Sequence, residues 1–268
     1  MLYDAPVKIN SPLALTILCG FLAVNASAQN PATSQNPSNS QNAATSQNGA
    51  TTQNPATSPI PRNPQTAPAW ISRHEGLLLE AKKGGIDLLF LGDSITDNWR
   101  SKGAAVWDKY YRLRHAANFG LGGDRTQHVL WRIDHGELDG LKPKVIVLMI
   151  GTNNSNTDSA DQIVKGVEKV AAEVHAKCPE SKLLLLAIFP RNKPVDKPTQ
   201  METIKQVNLR IARLDDGKTI RFLNINEKFL GPDGKVHEDI MPDFLHPSEK
   251  GYQIWADAIE STLAEMLK

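Results

Sequence analysis

The segment Val145–Ile150 reads VIVLMI, six apolar residues with no polar interruption. A strand with one wet face alternates, whereas an unbroken apolar run fits a central strand covered on both faces. Leu183–Phe189 and Ile86–Leu91 have the same character, and Ala116–Phe119 and Ile220–Ile225 are shorter runs of the same kind. Between them the spacing turns helical. Asp161–Lys177 places Ile163, Val167, Val170 and Val174 on one stripe. Helices are also expected over His74–Lys83, Ala104–Leu113, Asp124–Asp134, Thr199–Leu214 and Ser248–Leu267. Thr199 and Glu202 have capping-box spacing. The last helix carries Tyr252, Trp255, Ile259 and Leu263 on its apolar side. Five strands alternating with helices predict an α/β fold, a parallel five-stranded sheet inside a three-layer α/β/α sandwich, over residues 70–268. No internal repeat is present.

The amino-terminal third is different material. Leu13–Val24 is an apolar run short for a bilayer span, preceded by Lys8 and followed by Ala26-Ser27-Ala28. That pattern predicts a signal peptide over residues 1–28, cleaved near Ala28, and a mature protein secreted or held in the periplasm or cell envelope without a transmembrane segment. An uncleaved anchor is the alternative. Residues 29–69 repeat SQNP-like and ATSQN-like words with almost no aliphatic or charged side chains. Such a stretch cannot offset its ordering entropy, so a disordered linker is expected. Cys178 is the one cysteine left after cleavage and has no motif around it. A formal net charge of +1 gives no sign of a nucleic-acid partner.

Chemistry concentrates where strands end. Ser94, in GDSIT, follows the first strand and opens a helix, where free N–H groups favour developing negative charge. A serine hydroxyl needs a base, and His246 is the candidate. Asp243, three residues earlier, can turn back and hold the imidazole N–H. Gly122-Gly123 lets backbone approach a ligand after the second strand, and Asn153 offers an amide after the third. Taken singly, each of these is ordinary turn chemistry; their joint order is not. There is no G-x-S-x-G elbow. With no H-E-x-x-H and no Cys/His cluster at metal spacing, no cofactor or metal is expected.

The blocks GDSIT (92–96), NFGLGGD (118–124), GTNN (151–154) and DFLH (243–246) resemble the four blocks of the SGNH, or GDSL, hydrolase superfamily. The longer run NFGLGGDRTQHVLWRI is most similar to the branch holding the catalytic subunits of platelet-activating-factor acetylhydrolase type I. The resemblance covers residues 86–255. It implies a flavodoxin-like fold, Ser94 as nucleophile, His246 as base and Asp243 as its orienter. Ser94 N–H, Gly123 N–H and the Asn153 side chain would form the oxyanion hole. Asn154 stands where many members carry Asp. Ile95 and Leu245 would narrow the acyl pocket or else pack in the core, and Asn154 and Arg125 would line the substrate site. Asp97, Trp99, Trp131 and Arg191 lie near the same loops. The activity implied is a serine esterase removing a short acyl group, acetyl foremost, from a saccharide or small-molecule ester. Lipid-directed acylhydrolysis and thioester hydrolysis are the alternatives; a non-catalytic surface-binding module is the rival from another class. A homodimer is suggested by analogy alone.

Overall fold

A computed structural model of the chain describes residues 53–193 and 197–268. The expected signal peptide and most of the expected linker lie outside these residues.

The elements, in chain order, are α1 (Ala69–Lys83), β1 (Leu88–Gly92), α2 (Ser94–Asp97), α3 (Ala104–Tyr110), β2 (Ala116–Gly120), α4 (Thr126–Asp134), β3 (Val145–Met149), α5 (Ala160–Lys177), β4 (Lys182–Leu186), α6 (Gln200–Ile211), β5 (Ile220–Leu223) and α7 (Glu249–Met266). The sheet order is β2-β1-β3-β4-β5, and every pairing is parallel. Gly92 is level with both Gly120 and Met149, so three strands end at one edge. The chain order reverses beside β1, which opens a crevice at the carboxyl end of the strand that carries Ser94.

Side chains alternate across each strand. Leu89, Leu91, Ile146 and Leu148 join a core under α1, α4, α5 and α6. Leu88, Phe90, Val145 and Val147 join a second core under α3 and α7. This is the reason VIVLMI lacks a polar residue: both faces are dry. The α7 stripe read from the sequence is the buried one, with Tyr252, Trp255, Ile259 and Leu263 all at 0% exposure. Trp99 packs there too, its ring centroid 4.3 Å from Tyr252 and 5.0 Å from Trp255. Cys178 is a buried free thiol, and burial pushes its pKa up.

Three expectations are corrected. The linker does not extend to residue 69: residues 53–68 form a strap laid over α4 and α5. Ala56 is completely buried, Thr126 Oγ1 donates to its carbonyl at 2.8 Å, and Asn54 Nδ2 donates to Gln162 O at 3.1 Å. Composition misled because the strap is held by backbone carbonyls and one small buried side chain, none of which requires aliphatic sequence. The first helix begins at Ala69, five residues before the expected start, and buries Trp70. Thr199 makes no side-chain cap; the capping box forms instead at Ser159 and Gln162 of α5.

Candidate active site

Ser94 is the first residue of α2, a single turn that β1 delivers directly. The turn packs so closely on β2 that a Cβ on Gly120 would collide with the Asp97 backbone, and one on Gly92 would collide with Thr96 Oγ1. Asp93 caps the turn by accepting from Ile95 N–H at 2.9 Å. Asp93 is fully buried and its Oδ2 has no hydrogen-bond partner. Burial, with the neighbouring Asp124 carboxyl adding to it, pushes its pKa to about 7.

The other two polar groups come from the loop before α7. Asp243 folds back as a local turn: its Oδ1 accepts from Leu245 N–H at 3.2 Å and from His246 N–H at 2.8 Å. Its Oδ2 lies 2.8 Å from His246 Nδ1, and His246 Nε2 lies 2.9 Å from Ser94 Oγ. With Nδ1–H donating to Asp243, Nε2 is the free acceptor for the serine proton. Burial raises the Asp243 pKa, but the His246 backbone, the imidazole and Lys193 outweigh it and hold the carboxyl well below its usual range. Lys193 Nζ contributes at 3.1 Å. Between them, Phe244 has φ 57°, a left-handed conformation rare for a bulky residue. Its backbone is pinned on both sides, its N–H to Met241 O at 2.8 Å and its carbonyl to Asn192 N–H at 2.9 Å.

Facing Ser94 is the loop after β2. Gly123 has φ 77°, the left-handed region that favours glycine, and the Arg62 guanidinium lies against the side where a Cβ would stand. Asn153 Nδ2 donates to Asp124 O at 2.8 Å, one residue past Gly123, and is partly exposed. The structure thus gathers Ser94, Gly123, Asn153, Asp243 and His246 at one sheet edge.

The four expected substrate-lining residues fare differently. Ile95 and Leu245 are 1% and 7% exposed and belong to the core under α7, so they offer a substrate little surface. Asn154 is fully buried and fully used: Oδ1 accepts from Thr126 N–H at 2.9 Å, and Nδ2 reaches Gln127 Oε1 at 3.0 Å and Asp158 Oδ2 at 2.7 Å. It fastens the third-strand loop to α4, which corrects its assignment to substrate. Arg125 is half-buried, with Nη1 donating to Thr157 Oγ1 at 3.0 Å. Trp99 belongs to the core, and Arg191, 5% exposed, ties Thr152 O to the loop after β4 at 3.2 Å.

Sequence reasoning missed the buried frame behind the site. Arg132, on the inner face of α4, is 0% exposed. Its Nη1 donates to Phe119 O at 3.1 Å and its Nη2 to Gly92 O at 3.3 Å, tying the ends of β2 and β1 together. Its charge is met by Asp124 at 2.9 Å and by Glu137, whose other oxygen lies 2.9 Å from His74 Nδ1. Trp70 Nε1 donates to Asp124 Oδ1 at 2.6 Å. An arginine on the apolar stripe of α4, two turns after Asp124, is the one signal the sequence carried for this frame. Arg62 carried none, because it sits in the linker-like stretch.

Residues 90–254 match the model of the GDSL-like lipase/acylhydrolase family. Human platelet-activating factor acetylhydrolase IB subunit alpha2 is 32% identical over 199 residues, covering 74% of this chain and 85% of its own. Among solved structures, a GDSL-like lipase from Bacteroides thetaiotaomicron superposes with TM-score 0.53 at 20% identity, over 66% of this chain and 87% of its own. An acetyl-xylooligosaccharide esterase from Geobacillus superposes with TM-score 0.50 at 19% identity, over 68% and 94%. A parallel α/β/α sheet, a family match spanning both the Ser94 turn and the His246 loop, and a relative a third identical leave one assignment: the chain belongs to the GDSL-like lipase/acylhydrolase family and is a carboxylic ester hydrolase.

Proposed function

We propose that this enzyme is a secreted serine esterase that removes short acyl groups, acetyl foremost, from a saccharide or small-molecule alcohol through an acyl-enzyme. One observation carries the reading: the unbroken run of hydrogen bonds from Ser94 Oγ through His246 to Asp243, at 2.9 and 2.8 Å.

Chemistry follows from that geometry. Ser94 Oγ attacks the ester carbon as its proton passes to His246 Nε2. Negative charge collects on the former carbonyl oxygen, where the Ser94 and Gly123 N–H groups and the Asn153 amide serve as donors; each such donor is worth about 3–4 kcal/mol. Asp243 stays ionised and steadies the imidazolium. His246 then gives its proton to the departing alkoxide, and the alcohol leaves. Water repeats the sequence on the acyl-serine, gives a proton to His246, and releases the carboxylic acid as Ser94 regains its hydrogen.

The acetyl preference draws on the acetylhydrolase name of the relatives at 32% identity. A second reading has an observation of its own. A groove of about 770 Å³ lies between α6, β5 and residues 230–236, lined by Pro190, Met201, Leu209, Phe222, Leu230 and Val236. Asn192, which lines it, donates its N–H to Phe244 O, so the groove adjoins the histidine loop and would receive a long acyl or alkyl chain from there.

An acyl-length series decides between them. On p-nitrophenyl acetate, butyrate, octanoate and palmitate, the acetyl reading expects kcat/KM to fall steeply beyond acetate. A maximum at octanoate or longer selects the groove and lipid-like substrates. Ser94→Ala should lower turnover of every ester at least about 10³-fold; wild-type rates in that variant would remove Ser94 as nucleophile. Secretion predicts a mature terminus at Gln29, read by mass spectrometry of the exported protein.

A further inference from the structure

Two arginines close to Gly123 in the chain or in space, Arg125 and Arg62, form no ion pair within 4 Å among the described residues, although Arg62 acts at longer range on the Asp124 carboxyl. Arg62, on the strap and outside the matched residues 90–254, donates from Nη1 to Gly122 O at 2.6 Å and occupies the space a Cβ on Gly123 would take. Arg125, just past Asp124, donates to Thr157 Oγ1 at 3.0 Å. Elsewhere on the fold Arg73, Arg100, Arg114 and Arg132 each pair with an acidic side chain. A guanidinium has five N–H donors in a planar fork that fits a carboxylate or phosphate. One hydrogen bond per side chain leaves most of that fork unspent. Both guanidinium groups act on one neighbour, His128. His128 sits beside them, its Nδ1 accepting from Arg125 N–H at 3.0 Å, and burial together with Arg62 and Arg125 pushes its pKa down to about 3. It stays neutral and adds no rival charge of its own.

The strap is built to hold Arg62 there. Ala56 is fully buried, and Ile60 N–H donates to Gln127 O at 3.3 Å. Lys169 Nζ donates to Thr57 O at 3.0 Å. A substrate whose carbonyl oxygen rests on Gly123 N–H has its adjoining groups beside Arg62, with Arg125 on the other side of His128. We propose that Arg62 and Arg125 form an anion subsite beside Gly123, so that the preferred substrates are acyl esters carrying a carboxylate or phosphate close to the ester bond. This inference rests on the serine-esterase reading above and specifies the substrate of the same site.

The test uses the full chain and three acetyl esters of one geometry: 3-acetoxybenzoate, 3-acetoxyphenyl phosphate and the neutral methyl 3-acetoxybenzoate. In the wild type at low salt, at least one charged ester should exceed the neutral one tenfold in kcat/KM; the faster of the two identifies the anion. Arg62→Ala and Arg125→Ala should each bring that ratio close to one. Arg62→Lys, which keeps the charge and loses the fork, should fall between. Arg125→Ala leaves the strap bond to Gly122 in place, so it separates recognition from loop support. A wild-type ratio near one, or a ratio unmoved in both alanine variants, overturns the subsite while leaving the esterase standing. Failure of the wild type to hydrolyse any of the three, or any p-nitrophenyl ester, overturns both.

Discussion

Phe244 occupies a backbone conformation that costs a bulky residue about 1 kcal/mol or more, and it does so between the two members of the Asp243–His246 pair. The strain is held by hydrogen bonds to Met241 and Asn192, and its effect is directional: it turns the chain tightly enough for one carboxylate to bind both the backbone and the ring of His246. The carboxylate thereby fixes position and tautomer together. Asp243→Asn keeps the backbone bond yet can present an N–H where the ring N–H needs an acceptor. We expect kcat to fall on the order of 10³–10⁴-fold with little change in KM, measured on p-nitrophenyl acetate. A loss of under tenfold would mean that His246 is oriented without Asp243.

At the scale of elements, the strap and α5 depend on a glycine that helix propensity disfavours. Gly166 lies inside α5, and a Cβ there would stand 2.6 Å from Thr126 Oγ1 and 2.9 Å from Ala56 O. Intrinsic preference alone would make Gly166→Ala stabilising by up to about 1 kcal/mol. The clash reverses the sign for the strap. We expect Gly166→Ala to release residues 53–68, seen as faster proteolytic cleavage there while the folded domain stays intact. Unchanged protection of the strap would show that α5 can shift to make room. The elements also show what the sequence disclosed. The five strands and their helices were legible because both-faces-dry strands and striped helices leave periodic marks, and the four site blocks were legible because their chemistry is local. Arg62, Arg132 and the full use of Asn154 were not, because each acts through backbone carbonyls or amides far away in the chain, and such bonds leave no pattern. Ile95 and Leu245 were read by their neighbours in sequence, whereas their exposure is set by α7.

For the whole molecule, a carboxyl buried without a full set of partners makes stability depend on pH. Asp93 has an ordinary value of 3.8 and is held near 7 in the fold, mainly by burial. Between those values the native state keeps a proton that the unfolded chain has lost. Its contribution is therefore most favourable below about pH 4, declines as pH rises, and is level above about pH 7. The slope in that window approaches about 1.4 kcal/mol per pH unit for one such group. Asn at position 93 can still cap Ile95 and cannot ionise. Urea unfolding should show Asp93→Asn gaining on the wild type between pH 5 and pH 8. A difference that stays constant over that range would place the carboxyl's titration elsewhere.

Arg132 has a wider consequence. By gripping Gly92 O and Phe119 O, a single side chain sets the spacing between the strand that carries Ser94 and the strand that leads to Gly123. The bond-making atoms are thus calibrated from inside the protein, by a part no substrate touches. Residues 230–236, which line the groove, make none of these bonds and hang outside that calibration. Evolution, or an engineer, can exchange those outer residues to retune what is accepted without detuning how it is cleaved.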